Sequence, residues 1–305
     1  MSQFIQKNDQ FFIEENAQSK RILNITLSKA VIEQFLQKIK DEGINIQHLE
    51  YTPYERQVIA AYLEEIAGHN FGDILRDIVN DRATGGFTIG LEGVSKCTDE
   101  YVIFSTAIAH LVGISNFDSM TGKYYARFTV KDTDSSDSYL RQAYRLFTLH
   151  TDGTFVSEAT DWLLMMKMVE ENAKGGESRL LHLDDWEELE KFSANSLGQH
   201  KFQYIAPPSK NVQEIVHRQL FFLKNNRPCI CFIDQFAYPE SIEEAKFLKA
   251  LSQSMESDKH VIELALPVGS LVVLNNEFWL HGRAPFEKHP ELNRELLRQR
   301  GRFYH

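Results

Sequence analysis

The chain has 305 residues, 43% of them hydrophobic and 25% charged, the balance of an ordinary globular protein with a substantial core. Its net charge of −10 excludes a nucleic-acid footprint, and three cysteines, Cys97, Cys229 and Cys231, are too few for a disulfide framework. No run of about 18 apolar residues could span a bilayer, and positions 1–8 lack the charged-then-apolar order of a secretion signal, so a cytoplasmic location is expected.

Taken in chain order, Val31, Phe35, Leu36 and Ile39 recur at helical spacing, and Gly43 stops the run. Thr52-Pro53-Tyr54-Glu55 predicts a second helix, with proline at its first position and Glu55 where a capping box needs it. Residues 1–80 are therefore expected to form a mainly helical part of one domain spanning 1–305. Gly85, Gly86, Gly90 and Gly93 punctuate a short β segment, and 98–113 reads as another apolar-faced helix.

After Lys123 the texture changes. Segments 125–130, 162–169, 179–183, 230–234, 261–266 and 271–274 are short β-type runs between turns. Many short strands in one domain imply a sandwich or jelly roll, here over 81–305, with inserted helices at 185–192 and 240–256. Cys229 and Cys231 would share one face of an extended segment and read as buried strand thiols rather than metal ligands.

Two H-x-D tripeptides compete for a metal-binding role, His150-Thr151-Asp152 and His182-Leu183-Asp184. In extended backbone, residues i and i+2 share a face, so either pair could offer an imidazole and a carboxylate to one ion. Asp184 and Asp185 are followed by Trp186-Glu187-Glu188-Leu189, a context that makes an aspartate here a helix N-cap with its oxygens already engaged. His150 instead ends an apolar run and precedes Gly153, where a strand can turn toward a cavity. The third ligand must be remote in sequence. His281 fits, closing a single strand expected over 271–280 and leading into Gly282. A histidine there is by itself more often a structural residue; the arginines downstream reverse that balance.

Between His281 and His305, six cations, Arg283, Lys288, Arg294, Arg298, Arg300 and Arg302, face three glutamates, which suggests a small anionic ligand. Arg298 and Arg300 stand two apart, so both guanidinium groups point the same way in a strand, suited to bidentate capture of one or two carboxylates. Two histidines and one carboxylate leave coordination places open for an organic acid and dioxygen, the arrangement of non-haem Fe(II) oxygenases.

These residues, in this order, resemble the Fe(II)- and 2-oxoglutarate-dependent dioxygenases, and more narrowly the glutarate 2-hydroxylases. The resemblance runs from about residue 20 to 303 and includes Ser115-Asn-Phe-Asp118, Tyr124-Tyr-Ala-Arg-Phe128, Ser136-Asp-Ser-Tyr-Leu-Arg-Gln142, Leu181-His-Leu-Asp-Asp-Trp-Glu187, Ala206-Pro-Pro-Ser-Lys-Asn-Val212 and Phe278-Trp-Leu-His-Gly-Arg283. It implies a mainly β fold with flanking helices, a double-stranded β-helix core of the clavaminate synthase-like type. It further implies iron held by His150, Asp152 and His281, with 2-oxoglutarate as co-substrate and dioxygen as oxidant. By the same resemblance Arg300 would clamp the far carboxylate of 2-oxoglutarate and Arg298 a carboxylate of glutarate, although the two roles could be exchanged. Ser178 stands where related enzymes place a hydroxyl that helps hold the co-substrate. The implied reaction is hydroxylation of glutarate at C2 to L-2-hydroxyglutarate with release of succinate and CO2, in lysine breakdown, by a homotetramer.

Two other readings remain. The same chemistry could act on another small acid, or a catalytically silent jelly roll could bind a dicarboxylate around a structural metal. Structural zinc usually takes four protein ligands, often sulfur, whereas this set offers three nitrogen and oxygen donors, which counts against the silent reading.

Overall fold

A computed structural model describes residues 3–133, 135–136 and 139–304. Positions 1–2 of the signal reading, and Asp137 and Ser138 of one segment quoted above, lie outside the described residues.

Two sheets organise the chain. The larger runs in the order Gln6–Lys7, Phe11–Asn16, Ser19–Leu27, Gly86–Gly90, Ser270–Asn275, Trp162–Glu171, Asn293–Phe303 and Gly113–Ser115, with Ala126–Lys131 also paired to Asn293–Phe303. The smaller runs Ile262–Leu264, Ser178–His182, Trp279–Arg283, Phe147–His150. Beyond the first four strands of the larger sheet, neighbours in these two sheets are distant in sequence, which is how residues 150 and 281 come to lie side by side.

The middle strands of the larger sheet are buried on both faces, so they read as continuous apolar runs rather than alternating ones. Alternation instead sorts their side chains between two cores. From Trp162–Glu171, Leu164, Met166 and Met168 pack toward the helices, while Leu163 and Met165 pack toward the smaller sheet. From Ser270–Asn275, Leu271 and Val273 go to the first core and Val272 and Leu274 to the second. Helices Lys29–Asp41, Pro53–Ala67, Phe71–Asn80 and Thr98–Val112 cover the outer face, and the last of these is buried from Tyr101 to its end.

In the N-terminal part helices run from Lys29 onward; ahead of them the Phe11–Asn16 and Ser19–Leu27 strands extend the larger sheet, their apolar residues alternating as a half-buried hairpin requires. Ser28 caps the first helix, its side chain accepting from Val31 N. The capping box expected at Thr52 does not form. Thr52 also ends the preceding helix Ile46–Tyr51, its backbone N–H donating to the His48 carbonyl, and its side chain makes no capping hydrogen bond. The strand expected over 271–280 is broken in two between Ser270–Asn275 and Trp279–Arg283: Asn275 Oδ1 accepts from the Glu277 N–H across the break and its Nδ2 donates to the Val79 carbonyl, while Asn276 is tied to Asp152 and Thr160. Extended structure expected at 230–234 lies earlier, at Arg227–Ile230.

Among the described residues, no helix is long and apolar enough to cross a membrane.

Candidate metal centre

His150 ends the Phe147–His150 strand and pairs directly with His281 on Trp279–Arg283, which places their ring centroids 4.1 Å apart. Close approach of these strands depends on Gly282, where a Cβ would lie 2.4 Å from the Phe147 carbonyl oxygen. Asp152 follows on the turn out of the strand. Gly153 then adopts φ +75°, and a side chain there would collide with Thr160.

Donor atoms of His150, Asp152 and His281 all lie within 4.8 Å of one another, the one such group of three among the described residues. His150 Nδ1 sits 2.7 Å from the Thr148 carbonyl, which fixes the N–H on that side and leaves Nε2 with its lone pair toward Asp152, 4.0 Å away. Asn276 secures the turn: its Oδ1 accepts from the Asp152 N–H at 2.8 Å, and its Nδ2 donates to the Asp152 carbonyl at 3.0 Å and the Thr160 carbonyl at 2.8 Å.

Electrostatics prepare the same groups. Burial lowers the pKa of both His150 and His281, keeping the rings neutral and able to donate electron pairs. Burial opposes ionisation of Asp152, but Arg298 first, then His281, Arg300 and His150, hold its carboxyl far below the ordinary range. Arg298 Nη1 lies 3.0 Å from Asp152 Oδ2, yet that buried oxygen accepts no hydrogen bond. A buried carboxylate oxygen with spare capacity beside two neutral imidazoles, with no thiolate, fits a hard-to-borderline divalent ion such as Fe(II).

Beside the three donors is a cavity lined by aromatic and aliphatic side chains and by a few polar ones: Ser178, Lys210, Arg283, Arg294 and Arg298. Positions 294, 296, 298 and 300 of Asn293–Phe303 face inward from alternate residues, while Gln299 faces the helices and donates to Ser105. Arg298 Nη2 donates to Asp118 Oδ2 at 2.7 Å. Arg283 donates to the carbonyls of Leu140 at 2.7 Å and Gln142 at 2.6 Å, and burial brings its pKa down to about 9. Arg294 is buried, its pKa lowered to about 10 by burial, and its Nε has no acceptor. Arg300 is buried as well, with Nε and Nη1 unpartnered, but it is not part of the cavity lining.

The structure thus brings His150, Asp152, His281, Arg298 and Ser178 around one cavity and sets Arg300 beyond its edge. Sequence reasoning did not single out Lys210, Asp118, Asn276 or the site position of Arg294. For Arg294 the signal was present, since it stands an even number of residues before Arg298 on the same strand face. The rival His182-Leu183-Asp184 is engaged elsewhere: the cap of the 3-10 turn Leu183–Asp185 is His182, not an aspartate. Asp184 accepts from Arg82 and Arg227, and His182 Nδ1 accepts the Asp184 backbone N–H.

Residues 11–303 match the sequence profile of the CsiD family. The chain belongs to the CsiD family. It is 45% identical over 296 residues to a glutarate 2-hydroxylase of Citrobacter koseri, covering 96% of this chain and 90% of that one. Identity to the glutarate 2-hydroxylase of Salmonella typhimurium is 43% over 301 residues, 98% of this chain and 92% of the other. Among solved structures, this CsiD-family chain shares the fold of an asparagine oxygenase determined with Fe(II), 3-hydroxyasparagine and succinate, at TM-score 0.72 and 14% identity over 91% of this chain and 93% of that one. It also superposes on the non-haem iron oxygenase OrfP determined with Fe, at TM-score 0.68 and 15% identity over 92% and 94%. These matches bear out the expected clavaminate synthase-like architecture.

Proposed function

We propose that this chain hydroxylates glutarate at C2, using Fe(II), 2-oxoglutarate and dioxygen and releasing succinate and CO2. The observation that carries the reading is an open set of two imidazoles and one carboxylate beside a buried cavity whose polar wall is cationic. Identity above 40% over nearly the whole chain to glutarate 2-hydroxylases supports the substrate.

Bound Fe(II) supplies chemistry that couples decarboxylation of a 2-oxo acid to insertion of oxygen into a C–H bond. His150, Asp152 and His281 would hold the metal, with the Thr148 carbonyl and Asn276 fixing their orientation. Arg298 restrains the carboxylate of Asp152 and presents Nε, which has no acceptor, for a carboxylate of the substrate. Apolar walls, Phe128, Phe147, Phe155 and Phe236 among them, keep water from the reacting carbon. No side chain has to act as general base.

For the far carboxylate of 2-oxoglutarate, the geometry favours Arg294 with Ser178 over Arg300. Both line the cavity, Ser178 pairs across the sheet with Arg283, and Arg294 has an unused donor. Arg300, outside the lining, then acts through its charge on Arg298 and Asp152.

The free thiols Cys229 and Cys231, each raised to about 11 by burial, suit a reducing compartment and support a cytoplasmic location. Exposed Tyr51, Tyr54, Leu223 and Ile242 offer apolar surface for assembly as a homotetramer, which light scattering would weigh at four times 35.3 kDa. The function itself is tested by incubating the protein with Fe(II), 2-oxoglutarate and oxygen, with and without glutarate. Succinate and 2-hydroxyglutarate should appear together and only with glutarate; succinate formation indifferent to glutarate would discard that substrate.

A further inference from the structure

Lys210 is a buried lysine, 9% exposed, on the cavity wall, and among the described residues its ammonium has no hydrogen-bond or ion-pair partner. Its backbone is held firmly. It ends the 3-10 turn Pro208–Lys210, Asn211 closes that turn at φ +52°, and Ser119 Oγ donates to the Lys210 carbonyl at 3.0 Å. Ser119 adjoins Asp118, whose carboxylate pairs with Arg298, so the two loops form one wall of the cavity.

Along that wall the two aspartates, Asp118 and Asp152, are both paired with Arg298. Their charges, with that of Glu158 for Arg300, also act on Lys210 and Arg300, but among the described residues neither cation makes an ion pair. A lysine kept dry and unpaired is unfavourable, and burial brings its pKa down to about 8.

We propose that Lys210 binds one carboxylate of the substrate and makes the site selective for dicarboxylic acids over monocarboxylic acids of the same length. The proposal rests on the glutarate reading and extends it: Arg298 takes one carboxylate of the diacid through its free Nε, and Lys210 takes the second. Lysine suits this task because its ammonium, on a flexible stem, can follow the second carboxylate of an unbranched acid.

The test is calorimetric titration of the iron-loaded protein with 2-oxoglutarate, without oxygen, by glutarate and by pentanoate. Wild type should prefer glutarate. Lys210→Met should weaken glutarate about tenfold or more, leave pentanoate and 2-oxoglutarate unchanged, and thereby lose the preference, while Lys210→Arg should keep most of it. Glutarate binding by Lys210→Met equal to wild type overturns the assignment. So does parallel loss of glutarate, pentanoate and 2-oxoglutarate in Lys210→Met, which would make Lys210 a structural residue. If wild type itself does not bind glutarate, the substrate reading fails, and this proposal with it.

Discussion

Asp152 keeps its charge where burial alone would remove it, and the groups that allow this are those that a metal would join. Replacing it with alanine removes the only carboxylate of the donor set. Asp152→Ala should lower iron affinity by more than the about 100-fold that loss of an outer-shell partner can reach, read as metal content after dialysis. Asn276→Ala leaves all three donors but frees the Asp152 turn, and should cost about tenfold in the same measurement. Asp184→Ala makes the opposite case. It strands Arg82, whose side chain is 15% exposed, and should destabilise the fold by about 2 kcal/mol in urea unfolding while iron content stays at the wild-type level. Full iron content in Asp152→Ala would return suspicion to His182-Leu183-Asp184.

Elements deliver these residues to one place, and a single glycine sets the tightest fit. Gly282 lies where Trp279–Arg283 and Phe147–His150 shift register, between His281 and Arg283. Gly282→Ala would push its Cβ against backbone rather than a flexible side chain, so the strands must part. We expect a loss of about 2 kcal/mol in stability and a weaker iron site, read by unfolding and metal titration of one sample. Stability loss with wild-type iron affinity would mean that strand spacing does not govern the triad. Much at this scale was legible in sequence. Val31, Phe35, Leu36 and Ile39 gave their helix because burial there follows helical periodicity. The Trp162–Glu171 strand was visible as an apolar run because it is covered on both faces. What escaped depended on partners distant in sequence. The break at Asn275 and Asn276 is held partly by the Val79 and Thr160 carbonyls, and Asp184 is engaged by Arg82, 102 positions earlier. Arg294 was counted in a basic segment; its even spacing from Arg298 gives the shared face, but that spacing does not tell a buried arginine from a solvated one.

Across the whole molecule, the cost of burying neutral histidines should appear as acid sensitivity unrelated to iron. His110 lies inside the Thr98–Val112 helix, its Nδ1 on the Thr106 carbonyl and its ring edge-on to Tyr124, and burial lowers its pKa to about 4. His182, packed against Phe278 and Trp279 with Nε2 unpartnered, is brought to about 3, by burial first and then Arg21. Both rings are neutral in the fold and take up protons near pH 6.5 once unfolded. Protonation therefore favours the unfolded chain: their contribution is complete above that pH and declines as pH falls toward 4 and 3. From pH 7.5 to 5 each should remove about 2 kcal/mol of stability, as one group gives at most about 1.4 kcal/mol per pH unit. Urea unfolding with a chelator present should show this fall. His110→Gln, which cannot take up the proton, should have a pH dependence shallower by about 2 kcal/mol over that interval, whatever its stability at pH 7.5. A curve parallel to wild type would mean that His110 titrates alike in both states, and that the acid response comes from the remaining histidines.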